Sequence, residues 1–269
     1  MFSDIQWVVQ KNLTNHNDLV AINNACGRAE VGIIEVDIVP FSSALPDFDR
    51  TRKSIFYGST SFLKLAGEQP DLKGGLFFDD RFFSMENYIK RWGKHMLNAG
   101  ATVTDFKGLF DLGYAPDKLL FIRPDDDSKP FAGDVIEYGE IQDWFEKLRA
   151  VENAGISPET KIVVSEPYNI AKEWRLWIVE KKVVAASQYR EYFRLSKKRG
   201  CPDEVIRYAE ERCGEYTPDG VFVMDICQSG DGYYIVECNC MNGAGFYSAD
   251  VDAIVAGVTA YVAGRGYPF

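Results

Sequence analysis

Histidine is scarce in this chain and cysteine is scattered. The 269 residues hold two histidines, His16 and His95, and six cysteines with no Cys-x-x-Cys pair. A zinc centre needs close Cys or His ligand pairs. The nearest approach, Cys238-x-Cys240, falls on a strand pattern whose alternation puts both thiols on one face as small core hydrophobes. No run approaches the ~18 consecutive apolar residues of a spanning helix, so no membrane partner is expected. Residues 1–5 lack the basic stretch and apolar run of a secretory signal, which sets the expectation of reduced thiols in a cytoplasm. Also missing are a Gly-x-x-x-x-Gly-Lys-Ser/Thr loop and a Gly-x-Gly-x-x-Gly turn after a strand, which removes two common nucleotide sites. No Ser/His/Asp or Cys/His set for covalent catalysis is visible. Lysine and arginine are in the minority, 30 against 40 acids, for a net charge of −10. Duplex binding draws its affinity from basic side chains, so a nucleic-acid scaffold is disfavoured.

What is present suits a globular protein: 46% hydrophobic and 14% aromatic residues, a length for one large or two small domains. Strand and helix patterns alternate over the first hundred residues. Strands are expected at 5–9, 32–39, 54–57 and 76–78, with helices at 18–29 and 84–98. Ser84 supplies the cap of the last helix, and Met85, Ile89, Trp92 and Met96 form its stripe. This alternation predicts an α/β domain with a largely parallel sheet. After Gly100 the pattern predicts strands at 119–123, 161–165, 174–180, 183–189, 221–227 and 233–239, with helices at 141–153 and 202–213. Turns at 180–182 and 229–232 make hairpins of them, giving an α+β arrangement with antiparallel sheet.

The hairpin from Val221 to Asn239 concentrates acids. Phe222, Met224 and Ile226 form one face of its first strand, which leaves Asp225 on the other. On the second strand Tyr234, Val236 and Cys238 share a face, opposite Glu237 and Asn239. A three-residue turn, Gly230-Asp231-Gly232, would set Asp225 directly across from Glu237. Like charges facing each other are destabilising unless a cation sits between them, and an all-oxygen ligand set selects a hard ion such as Mg2+. Basic residues gather elsewhere: Arg123 at the end of an apolar strand, Lys129 in the loop 125–133, and Arg175 and Arg190 on strands. Arginine's planar fork suits phosphate, although each alone is more simply a surface charge. The run Arg190, Arg194, Lys197, Lys198, Arg199 reads beyond Arg194 as a solvated loop. The segment 242–246 is open between a pocket-shaping loop and a plain turn.

In order along the chain, strand–Arg123, a lysine loop, Val163-Val164-Ser165-Glu166-Pro167-Tyr168, Glu173-x-Arg175, Arg190, Asp225 and Glu237-x-Asn239 resemble the ATP-grasp superfamily from about Asp117 to Tyr247. The preceding Asn87-x-x-Lys90 and residues 99–103 are similar to the start of its nucleotide-binding half. The superfamily usually carries Lys before the strand-end Pro. Arg123 there, with Lys129 six residues on, resembles the clade named for its two arginines and one lysine, whose members are suggested to be amide-forming ligases.

That resemblance implies an N-terminal α/β domain (1–104), a small ATP-grasp subdomain (105–168) and a large one carrying the metal hairpin (169–269). ATP would lie between two antiparallel sheets. It implies Ser165, Glu166 and Tyr168 at the adenine, Glu173 at the ribose, and Arg123 and Lys129 at the α- and β-phosphates. Asp225, Glu237 and Asn239 would hold Mg2+, with Mn2+ as an alternative, while Arg175 and Arg190 would face the transferred phosphoryl group. The implied reaction joins a small-molecule or peptide carboxylate to an amine through an acyl phosphate.

Overall fold

The computed structural model describes residues 2–39, 44–127, 130–151 and 155–265; Lys129 lies outside them. Among the described residues the strands form three sheets. The first is built from β1 (Ile5–Gln10), α1 (His16–Arg28), β2 (Gly32–Val36), β3 (Lys53–Tyr57) and α2 (Thr60–Gly67). Its strands run parallel in the order β2-β1-β3. All six residues of β1 are buried, as expected of a parallel strand covered on both faces.

α3 (Met85–Trp92) starts where expected, with the Ser84 hydroxyl accepting from the Asn87 amide at 3.2 Å. It stops short of residue 98 because Gly93 takes φ +50, a left-handed conformation glycine tolerates and other residues avoid. The 76–78 segment is not a strand either. Its Phe77 amide donates to the Asn242 side chain at 2.7 Å, in place of a neighbouring strand.

The second sheet collects β4 (Thr102–Asp105), β5 (Leu119–Pro124), β6 (Asp134–Glu137) and β7 (Lys161–Ser165), antiparallel in the order β4-β7-β5-β6. α4 (Phe106–Phe110) and α5 (Ile141–Arg149) cover one face of it through Phe106, Leu109, Ile141 and Phe145.

The third sheet holds β8 (Lys172–Val179), β9 (Lys182–Glu191), β10 (Arg194–Arg199), β11 (Val221–Ser229) and β12 (Gly232–Asn239). All pairs are antiparallel, in the order β10-β9-β8-β11-β12. The basic run after Arg190 is therefore an edge strand rather than a loop; its charges suit an unpaired edge. One face of this sheet (Trp174, Leu176, Met224, Ile226) packs on α3 and α6 (Asp203–Glu215). On the other, Trp177, Val179, Val221 and Val223 pack against the first sheet and α7 (Val251–Ala263). Strand alternation carries that second face on to Arg175, Glu173 and Asp225. The first and last elements are joined by a bond from Trp7 Nε1 to Thr259 Oγ1 at 3.0 Å. The hydrophobic cluster under this junction runs from β1 to α7. No helix among the described residues is long and apolar enough to cross a membrane.

Candidate active site

The β11–β12 hairpin reaches its expected pairing by an unexpected route. Ser229 pairs with Gly232, so the turn has two residues, Gly230 and Asp231, rather than three. On that register alone Asp225 would face Val236. The ladder shifts between Asp225 and Ile226, where Val236 becomes the extra residue of a β-bulge, and Asp225 comes to lie opposite Glu237. The bulge also corrects the expected faces. Ile235, not Tyr234 or Val236, joins Cys238 in the core with Met224 and Ile226. A bulge redirects side chains locally and is common beside functional sites.

Three strands align charge across this face. Asp225 pairs with Arg175 on β8 and with Glu237 on β12. Arg175 grips Asp225 bidentately, Nε to Oδ1 at 2.9 Å and Nη2 to Oδ2 at 2.7 Å. Only 12% and 2% of the two side chains are exposed. Asn239 Nδ2 donates to the same carboxylate at 3.2 Å. Burial opposes the charge on Arg175, but attraction to Asp225 and the hydrogen bonds between them outweigh it, so its pKa is raised. Arg123, at the end of β5, reaches across from the small sheet to Glu237 and to the carbonyl of Val236, the bulge residue. Its buried Nε has no hydrogen-bond partner among the described residues. Two carboxylates that would repel each other are thus each matched by an arginine.

The ring systems next to this row hold it in place. Arg175 lies over Tyr247 at 5.2 Å and Tyr189 at 5.7 Å, and the two rings stack with centroids 5.1 Å apart. Such contacts add roughly 0.5–2 kcal/mol when desolvated. Tyr247 sits at φ +53, a conformation costing on the order of 1–3 kcal/mol outside glycine. The Tyr189 hydroxyl donates to Glu173 at 2.8 Å, and Arg190 donates to the other Glu173 oxygen at 3.0 Å. Arg190 therefore serves Glu173 here, one step away from the Asp225 carboxylate. Neither tyrosine stands out in the sequence, where nothing marks an aromatic that will stack across a sheet.

Ser165, Glu166 and Tyr168 gather elsewhere, around a cavity of about 310 Å³ that Thr102 and Lys118 also line. Ser165 is buried and accepts from Asn98 Nδ2 at 2.6 Å. Glu166 is exposed and ion-paired with Lys118. Asp127, unremarked in the sequence, accepts from the Cys240 amide at 3.0 Å and so ties the loop after β5 to the end of the β11–β12 hairpin. Beyond that hairpin, Asn242 is fully buried. Its Nδ2 donates to the carbonyls of Phe56 and Gly75 at 2.7 and 2.8 Å, and its own carbonyl accepts from Gly58 at 2.9 Å. Asn242 thus knits the first sheet to the hairpin by its side chain, a role apart from either reading of 242–246 as a pocket-shaping loop or a plain turn. A second cavity, about 430 Å³, opens at that seam between α2 and the hairpin.

Asp225, Glu237 and Asn239 offer oxygen donors only, the chemistry of a hard cation bound by one or two carboxylates with substrate phosphates completing its shell. Among the described residues no three His, Cys, Asp or Glu side chains converge as metal ligands.

Comparison with known proteins bears on the whole architecture. A RimK domain ATP-grasp protein from Sphaerobacter thermophilus matches with a TM-score of 0.58 at 14% identity, over 96% of this chain and 100% of that one. The D-alanine–D-alanine ligase of Bacillus anthracis matches with a TM-score of 0.60 at 12% identity, over 98% and 100%. The ATP-grasp ligase PsnB, in complex with a minimal precursor, Mg and ADP, matches with a TM-score of 0.55 at 13% identity, over 97% and 99%. At these identities the likeness is one of fold. No curated protein matches. The family model for the ATP-grasp domain of the two-arginine, one-lysine clade, family 3, covers residues 45–258. This chain belongs to that ATP-grasp family and has its α+β fold.

Proposed function

We propose that the chain is an ATP- and Mg2+-dependent ligase that joins a carboxylate to an amine through an acyl phosphate. The observation that carries this reading is the paired row Arg123–Glu237 and Arg175–Asp225, one buried and one partly buried acid each matched by an arginine, Arg123 reaching in from the other antiparallel sheet with its Nε unpartnered among the described residues. Ligase neighbours on the same fold add support.

In this reading Arg123 would hold ATP phosphates through its guanidinium, and Lys129 is assigned to the same phosphates from its place in the sequence. Ser165, Glu166 and Tyr168 would receive the adenine and Glu173 the ribose hydroxyls, with Arg190 and the Tyr189 hydroxyl fixing the Glu173 carboxylate in place. A Mg2+ held by Asp225, Glu237 and Asn239 would neutralise charge on the β- and γ-phosphates. Arg175, bonded to Asp225, would stabilise the charge spread over the transferred phosphoryl oxygens, and Arg190 would join it on releasing Glu173. The substrate carboxylate attacks the γ-phosphorus as the bond to ADP breaks. The amine then attacks the acyl carbon, the carbon–oxygen bond to phosphate breaks, and the amine's proton leaves. A free carboxylate has no usable leaving group, and this sequence supplies one without a protein nucleophile. Arg175, pinned by Asp225 and two rings, is already oriented, so little reorganisation accompanies the transfer.

The test is ADP release from ATP with pooled carboxylic acids and hydroxylamine as a small amine. ADP formation that depends on an acid and yields its hydroxamate is expected. Acid-dependent ADP release with no hydroxamate or amide would replace ligation by simple phosphotransfer.

A further inference from the structure

The 430 Å³ cavity shares Arg175 and Asn239 with the charged row, then extends away from it toward α2. Four α2 residues line it, Thr60, Leu63, Lys64 and Gly67. Their spacing of i, i+3, i+4 and i+7 is one face of a helix, while Phe62 and Ala66 point the other way into the core. Leu76 and Phe78 also line it. Phe78 is 43% exposed, an aromatic left against solvent at the rim of an opening. At the near end Arg175 is paired with Asp225, and Asp127 accepts from the Cys240 amide. Lys64 is exposed, makes no ion pair among the described residues, and adds attraction for an anion on the cavity's lining. The volume is that of a small-molecule pocket, commonly about 300–1,000 Å³ with apolar walls and few polar groups.

Resting on the ligase reading, we infer that this cavity takes the body of the acid substrate, and that the acid is an amphiphile of amino-acid to dipeptide size. Its carboxylate would lie at the Arg175–Asn239 end and its apolar side chain against Leu63, Leu76 and Phe78. A polar or highly charged acid would leave those walls wet and leave its own groups without partners. Shape fixes the test residue. A Cβ on Gly67 would meet only the Leu76 side chain, at an ordinary 3.7 Å. The position ends α2 without a positive φ, so a larger side chain extends into the cavity rather than into the fold.

The probes are the dipeptides Leu-Leu and Ser-Ser, titrated calorimetrically into the full chain with Mg·ADP present. Leu-Leu is expected to bind at least about tenfold more tightly than Ser-Ser, a difference of about 1.4 kcal/mol. Gly67→Leu is expected to lose at least that factor for Leu-Leu while binding Mg·ATP within about twofold of the parent. Phe78→Ser, at an exposed position, should show the same split if Gly67→Leu folds poorly. Equal binding of the two dipeptides, no binding of Leu-Leu, or Leu-Leu affinity untouched in both variants overturns the assignment. The two readings fail separately. A hydroxamate formed only from polar acids sinks this inference and keeps the ligase. Leu-Leu bound as expected, with ADP release from acids but no hydroxamate, keeps the cavity and sinks the ligase.

Discussion

Removing the charge of Asp225 should unfold the protein more readily even where no nucleotide is present. Asp225 is nearly fully buried, and its carboxylate is the bidentate partner of Arg175, which is itself mostly buried. In Asp225→Asn the guanidinium keeps one acceptor and loses the opposing charge. Breaking a buried pair on one side costs about 3–5 kcal/mol; the retained acceptor argues for the lower end, about 3 kcal/mol. At roughly 2–4 °C per kcal/mol for a chain of this size, Tm should fall by roughly 6–12 °C. The control is Glu166→Gln, whose partner Lys118 and whose own carboxylate are both exposed; screened surface pairs contribute little, and its Tm should not move. Calorimetry of both variants without ATP makes the comparison. A third protein carrying Asp225→Leu with Arg175→Met removes both charges together, so it should recover most of the loss while remaining inactive. Asp225→Asn melting within about 1 °C of Glu166→Gln would refute the claim that this pair is a buried, charge-matched element.

Arg123→Gln should weaken Mg·ATP by about tenfold or more and adenosine little, since a charge-assisted hydrogen bond contributes roughly 1.5–3 kcal/mol; titration calorimetry with both ligands checks it. Asn242→Leu should lower stability by on the order of 1–3 kcal/mol for each buried carbonyl it orphans, Phe56 and Gly75 being the two; denaturant titration reads the change. His95 has a pKa below the usual 6.5, because burial and then the neighbouring Arg212 disfavour its positive charge. The unfolded chain therefore binds that proton more readily. The contribution of His95 is intact above pH 6.5 and is lost as pH falls toward the lowered value. Thermal scans from pH 7 to 5 should show the decline, and His95→Gln should flatten it.

The chemistry-bearing strands were legible because their signals are local. The stretch 221–239 alternates clearly enough to separate Asp225, Glu237 and Asn239 from the core. Its bulge was not legible, since a two-residue and a three-residue turn fit Ser229-Gly230-Asp231-Gly232 equally well and only the packing of Ile235 against the core decides. α7 escaped for a different reason. Its run VDAIVAGVTAYVA is apolar nearly all round because alanines (Ala256, Ala260, Ala263) occupy most of its exposed face, so little periodic contrast marks it. β10 reads as a charged loop, and pairing with β9 makes it a strand. The α3 stripe is legible, but its length is not, because Gly93 ends the helix before the glycine at 100 is reached. Pairings between distant strands, such as Arg123 with Glu237, leave no mark in a single sequence.

The central claim is that a carboxylate attacks ATP, and oxygen labelling tests it most directly. With an acid substrate labelled by 18O in its carboxylate, together with ATP and an amine, mass spectrometry of the released phosphate should find one 18O atom per turnover, delivered as the acyl phosphate breaks. Phosphate carrying no label while ADP and product accumulate would contradict the account.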